Sequence, residues 1–277
     1  MTKRNDTLNE SLQRWGAKAV PFTDVGGLFM TSAIDEILER LDEAAALRST
    51  MVLHGDNGVG KSMLIRHWVA TLEPKRFRPV IITHATLPGT GIMASLLQKL
   101  GSPVHHQRSR NLATLEEAII RLERQIPVVV LDEAQLYTAD ALEEVRLLLG
   151  LSLPAQPLFA LILIGDNYLL DSLKLQNRKA LYSRIACALE LPALRGSEAP
   201  AYVAAQFAAV GLDRPCFEEA ALHMLISVAD GLPRTLNLVA RAAWLLAASA
   251  KTNMISPDHV RAAIRRVPGA RDKIDAD

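Results

Sequence analysis

Apolar residues gather into short, strand-like runs at 50–54, 79–83, 128–131, 159–164 and 186–191. Between them, apolar positions recur at the three- and four-residue spacing of a helix with one buried face. Short strands separated by helical stretches predict an α/β fold with a mainly parallel, five-stranded sheet between helices. Two such stretches, 91–100 and 115–125, lie between the second and third runs, with a polar, basic linker between them (His105, His106, Gln107, Arg108, Ser109, Arg110). The alternation stops at Leu191-Pro192-Ala193-Leu194-Arg195-Gly196-Ser197. Beyond it the spacing predicts helices over 198–210, 218–229, 233–251 and 257–266, with Ser256 placed to cap the last of these before Pro257. The expected organisation is a lead-in with a helix packing on the core (1–48), a core (49–195), a small all-helical domain (196–268) and a flexible tail (269–277).

Composition narrows this picture only slightly. A chain of 277 residues with 49% hydrophobic side chains has ample material for a buried interior. Its longest apolar stretches, 158–164 and 242–250, are too short to span a bilayer, and the N-terminus lacks the apolar centre of a secretion leader. The expectation is a cytoplasmic protein with no membrane partner. Cys187 and Cys216 stand alone without metal-ligand spacing and are read as packing residues. A net charge of +1 neither demands nor excludes nucleic acid, because binding depends on local basic patches.

Candidate chemistry changes the picture more. The stretch Gly55-Asp56-Asn57-Gly58-Val59-Gly60-Lys61-Ser62 fits the P-loop pattern in full, follows a strand and opens a helix at Met63. Its glycines permit the backbone to turn successive N–H groups toward phosphates, and the helix N-terminus favours the same charge. Lys61 reaches the outer phosphates, and the Ser62 hydroxyl suits magnesium. Residues 55–63 are therefore assigned to ATP and Mg2+. Asp56 is the exception, since a carboxylate there has to point away from the phosphates.

Val128-Val129-Val130-Leu131 then delivers Asp132 and Glu133 to a strand end, where open α/β sheets bind ligands. Asp132 suits magnesium through water, and Glu133 suits orientation or activation of the attacking water. The run 159–164 ends in Gly165-Asp166-Asn167, which places Asn167, with Asp166 as the alternative, to hydrogen-bond the γ-phosphate or that water.

With GDNGVGKS, LDEAQ, LILIGDNYLL, LYSRIACALELPAL and GLPRTLN in this order, the chain resembles an AAA+ ATPase of the ExeA/TniB/MuB-like group, over about 15–266. The lead-in from Trp15-Gly16 to Val20-Pro21-Phe22-Thr23 is similar to that group's as well. The resemblance implies an AAA+ P-loop core followed by a helical lid. It further implies that Arg234, in Gly231-Leu232-Pro233-Arg234, reads the γ-phosphate from the lid. Arg184 is the expected finger offered to a neighbouring subunit's nucleotide, with Arg178 as the alternative; such a finger makes turnover depend on assembly.

The function implied is regulation of transposition: ATP-bound copies assemble as a ring or helical filament on double-stranded DNA and recruit a transposase, and hydrolysis resets them. Arg108 and Arg110 are the candidate DNA contacts, sequence-independent and salt-sensitive. Lys75, Arg76 and Arg78 form a second basic cluster, and Arg261, Arg265, Arg266 and Arg271 a third. The alternative is an ExeA-like role in assembling a secretion machine. Proteins of that kind continue into a membrane segment and a cell-wall-binding module absent from this sequence, so the DNA role is the expectation.

Overall fold

The computed structural model describes residues 2–23, 27–83, 89–151, 156–176 and 178–270. In chain order the elements are α1 (Thr2–Trp15), α2 (Ser32–Leu47), β1 (Thr50–His54), α3 (Lys61–Thr71), β2 (Phe77–Ile82), α4 (Gly89–Lys99), α5 (Arg108–Arg121) and β3 (Ile126–Leu131). They continue with α6 (Ala139–Leu149), β4 (Ala160–Ile164), α7 (Tyr168–Lys174), α8 (Lys179–Tyr182), β5 (Ile185–Glu190), α9 (Glu198–Ala208), α10 (Glu219–Ala229), α11 (Pro233–Ser249) and α12 (Pro257–Ile264). Two compact units result.

The first unit, Ser32–Asn57 with Lys61–Leu191, is an α/β domain. Its five strands lie in the order β2-β3-β4-β1-β5 and every pair is parallel. The apolar runs of β3 and β4 make the middle of the sheet, where both faces are covered: β3 is buried from Pro127 to Leu131 and β4 throughout. β5 alternates half-buried and exposed positions, as suits an edge, and Pro79, which lacks a backbone donor, sits on the opposite edge strand β2. Two side chains fix flanking helices: the Trp68 indole donates to Asp42 Oδ1 at 2.8 Å, and Thr138 caps α6 by accepting from the Ala141 amide at 3.2 Å. Parallel strands all deliver their C-terminal ends to one side. The ends of β3, β4 and β1 are neighbours there, and the loops that follow them carry the candidate site.

The five expected strands all form, with ends shifted by no more than two residues. The expected linker is different. Arg108, Ser109 and Arg110 are the first turn of α5, which begins well before residue 115. That turn faces solvent, so it has no apolar periodicity to reveal it. Buried Asn111 fixes it by accepting from the His105 amide at 2.7 Å and donating to the His105 carbonyl at 2.9 Å.

The second unit, Met1–Thr31, Gly58–Gly60 and Pro192–Asp277, is helical. The lead-in up to residue 31 groups here, and only α2 of the expected 1–48 segment joins the sheet. Aromatic packing accounts for this: Trp15 meets Trp244 at 5.7 Å between ring centroids, and Phe22 meets Phe207 edge-on at 4.9 Å, all four buried. Cys216 is buried in this unit, while Cys187 on β5 is half-buried. Ser256 and His259 form a reciprocal cap at the start of α12. Of the expected tail 269–277, Gly269 and Ala270 are helical and Ala270 is buried, while the rest, Arg271 included, lies outside the described residues.

Gly231 turns the chain from α10 into α11 with φ +70°, and a Cβ there would overlap the Leu194 carbonyl oxygen. Left-handed backbone and overlap act together, so Gly231→Ala should cost about 2 kcal/mol or more. A denaturant midpoint equal to the parent's would contradict this.

Candidate active site

The loop after β1 is built on Gly58 (φ +91°) and Gly60 (φ +115°), angles that open it for N–H groups to point inward. Lys61 begins α3, and its ammonium donates to the carbonyls of Gly55 at 2.7 Å and Asp56 at 3.0 Å. The side chain is only 8% exposed. Burial lowers its pKa, opposed by the carboxylates of Glu133, Asp166, Asp132 and Asp56. One buried cation thus faces four acids. Val59 is buried, whereas Asp56, Asn57 and Ser62 are open to solvent.

The Ser62 hydroxyl donates to Asp132 Oδ2 at 3.2 Å, so two sequence-remote groups converge as a pair of hard oxygens, the donor chemistry that suits Mg2+. Asp132 Oδ1 accepts from the Glu133 amide at 3.0 Å. Glu133 itself adopts φ +52°, a left-handed conformation costly for a side chain of this kind and typical of functional turns. That turn leads into a short 3-10 segment, Ala134–Leu136, and leaves the Glu133 carboxylate exposed beside the loop.

Asn167 follows β4, with its amide divided between two neighbours. Nδ2 donates to Asp56 Oδ1 at 2.8 Å, and Oδ1 lies 3.2 Å from His54 Nδ1. The oddly placed Asp56 therefore has a local partner, and in this state Asn167 is held by residues of β1 and its loop. Asp166 turns back to accept from the Tyr168 amide at 3.0 Å.

The arginines are placed as follows. Arg184 Nη1 donates to the Arg146 carbonyl at 2.6 Å. Arg178 Nη2 donates to the Tyr137 carbonyl at 3.4 Å, and its buried Nε has no partner among the described residues. In the helical unit, the Arg234 amide donates to the Gly58 carbonyl at 3.1 Å; a Cβ on Gly58 would stand 2.9 Å from Arg234 Cβ. Arg108 Nε lies 3.9 Å from Glu144 Oε1, whose buried carboxyl is pushed above the usual range by desolvation. Arg110 is exposed on the same turn. Motif spacing gave no role to His54 or Gln135, since the contacts of His54 with Asn167 and of Gln135 with the Asp166 amide join the ends of different strands.

Strand order, P-loop and carboxylate pair together define the AAA+ P-loop NTPase fold, with a helical C-terminal region. Residues 45–173 match the family model of an AAA domain. It is 26% identical over 229 residues to General secretion pathway protein A of Aeromonas hydrophila, a match that takes in 80% of this chain and 41% of that relative. Among solved structures, Cdc6p from Pyrobaculum aerophilum superposes with TM-score 0.69 at 20% identity, over 90% of this chain and 72% of that one. The Aeropyrum pernix ORC1 protein in complex with DNA gives 0.65 at 16% identity (86% and 66%). The Thermotoga maritima RuvB Holliday junction branch migration motor gives 0.56 at 20% (85% and 69%). Among the described residues, no helix is long and apolar enough to cross a membrane.

Proposed function

We propose that this chain is an ATP-dependent regulator of transposition. Copies assemble on double-stranded DNA, recruit or activate a transposase, and are reset by hydrolysis. The observation that carries the chemistry is the convergence of Lys61, Ser62, Asp132 and Glu133 at neighbouring strand ends. Lys61 and the loop amides hold the ATP phosphates, and Ser62 with Asp132 holds Mg2+, which when bound neutralises charge on the phosphates. Glu133 accepts a proton from water as the water oxygen bonds to the γ-phosphorus and the bond to the bridging oxygen breaks, leaving ADP and phosphate. Asn167 exchanges Asp56 for the γ-phosphate or that water, and Arg234 reads the same phosphate.

Arg184, or Arg178 in its place, serves a neighbouring copy. For Arg184 this means trading the Arg146 carbonyl for a phosphate, which makes assembly a condition of turnover. Head-to-tail contacts of this kind close into a ring or extend as a filament. The DNA part of the reading is supported by two similar structures with DNA bound, the Aeropyrum pernix ORC1 protein and Drosophila ORC. Arg110 is the freer of the two proposed phosphate contacts, because Arg108 leans on Glu144. A second reading, a role in secretion-machine assembly, is favoured by the similarity to General secretion pathway protein A.

ATP hydrolysis and sedimentation, with and without duplex DNA over a salt series, separate the two. DNA-stimulated turnover with ATP-dependent large complexes, weakening steeply as salt rises, is the expected result. An active ATPase indifferent to DNA would support the secretion reading instead.

A further inference from the structure

Gln135 lies two residues beyond Glu133 in the turn that closes β3, with its backbone fixed between buried Ala134 and buried Tyr137. Its side-chain NH2 donates to Glu133 Oε2 at 2.7 Å, and its carbonyl oxygen accepts, at a longer 3.4 Å, from the Asp166 amide. These partners fix the orientation of the side-chain amide. The reverse orientation would set its oxygen against the Glu133 carboxylate and its NH2 against an N–H. Space for it comes from Gly165, where a Cβ would stand 2.6 Å from the Gln135 oxygen.

The electrostatics call for such a holder. Glu133 acts on the Lys61 ammonium together with the carboxylates of Asp132 and Asp166. Left free, an exposed carboxylate is drawn toward that ammonium and repelled by its like-charged neighbours. A cationic partner would hold it but stabilise its charge and weaken it as a base, whereas a neutral amide fixes the direction of the carboxylate without adding charge.

We propose that Gln135 is a positioning residue for hydrolysis, holding the Glu133 carboxylate toward the attacking water from a footing on the end of β4. This rests on the reading of Glu133 given above. The test uses the full chain carrying Gln135→Ala or Gln135→Glu, each alone and combined with Glu133→Gln. Turnover and binding of a fluorescent ATP analogue are measured for every variant.

Gln135→Ala should lower kcat about 10- to 100-fold, the range for removal of an outer-shell partner, while KM and analogue affinity stay within about twofold. Gln135→Glu, of nearly the same shape, should lose at least as much because it faces Glu133 with like charge; it also carries the test should the alanine variant fail to fold. With Glu133→Gln already present, adding Gln135→Ala should change the residual rate by less than about twofold, since a residue that acts by aiming the Glu133 carboxylate then has no base left to aim. Parental kcat in Gln135→Ala, a loss confined to KM, or losses that multiply with that of Glu133→Gln would each overturn the proposal. Parental turnover in Glu133→Gln alone would bring down the Glu133 reading, and this proposal with it, so the two failures are distinguishable.

Discussion

Lys61→Ala should abolish tight nucleotide binding, with affinity for ATP falling about thirtyfold or more. The size of the effect follows from the environment. The ammonium is buried to 8% exposure, already desolvated, and poised on the carbonyls of Gly55 and Asp56 at 2.7 and 3.0 Å. A phosphate arriving there exchanges neutral acceptors for an anion at a site whose desolvation cost is met in the folded chain. Truncating one member of such a buried, charge-assisted pair costs about 2–5 kcal/mol. The substitution also leaves Asp56, Asp132, Glu133 and Asp166 without the cation they share, so the same pocket becomes repulsive to triphosphate. Calorimetric titration with an ATP analogue checks this, and binding retained near the parental affinity would remove Lys61 from the phosphate site. Stability should respond less than binding, because the alanine also relieves the burial of a charge.

Legibility in the sequence followed the physics of each signal. Val128 to Leu131 and Phe159 to Ile164 read as strands because a central parallel strand is apolar on both faces, and the P-loop stood out because few sequences satisfy its glycine and lysine spacing. The start of α5 at Arg108 was invisible, since its first turn is held by Asn111 and His105, a contact that periodicity does not encode. The attachment of Trp15 and Phe22 to the helical unit depends on partners nearly two hundred residues away or more, Phe207 and Trp244. Within the site, Asp132, Glu133 and Asn167 were nameable from their strand ends. The bonds of Asn167 to Asp56 and His54, and of Gln135 to the Asp166 amide, were not, because they are set by the β3-β4-β1 order and not by local spacing.

Glu133→Gln should separate binding from turnover: ATP affinity stays near the parental value while hydrolysis falls about 10²- to 10⁴-fold, the range expected for loss of a positioned general base. The replacement keeps the shape of the side chain, and its remaining oxygen can still accept from Gln135, so the left-handed turn at φ +52° and the contact at 2.7 Å need not be lost. What disappears is the negative charge that draws a proton from water. Near Lys61 the same change removes one of four acids, which favours the triphosphate slightly and works against any fall in affinity. ATP-bound complexes should therefore accumulate and, on the proposed reading, sediment as large species that do not dissolve with time. Phosphate release measured alongside sedimentation decides the matter. Undiminished hydrolysis would remove Glu133 from the water-activating role, and lost hydrolysis without accumulation of large complexes would detach assembly from the ATP-bound state.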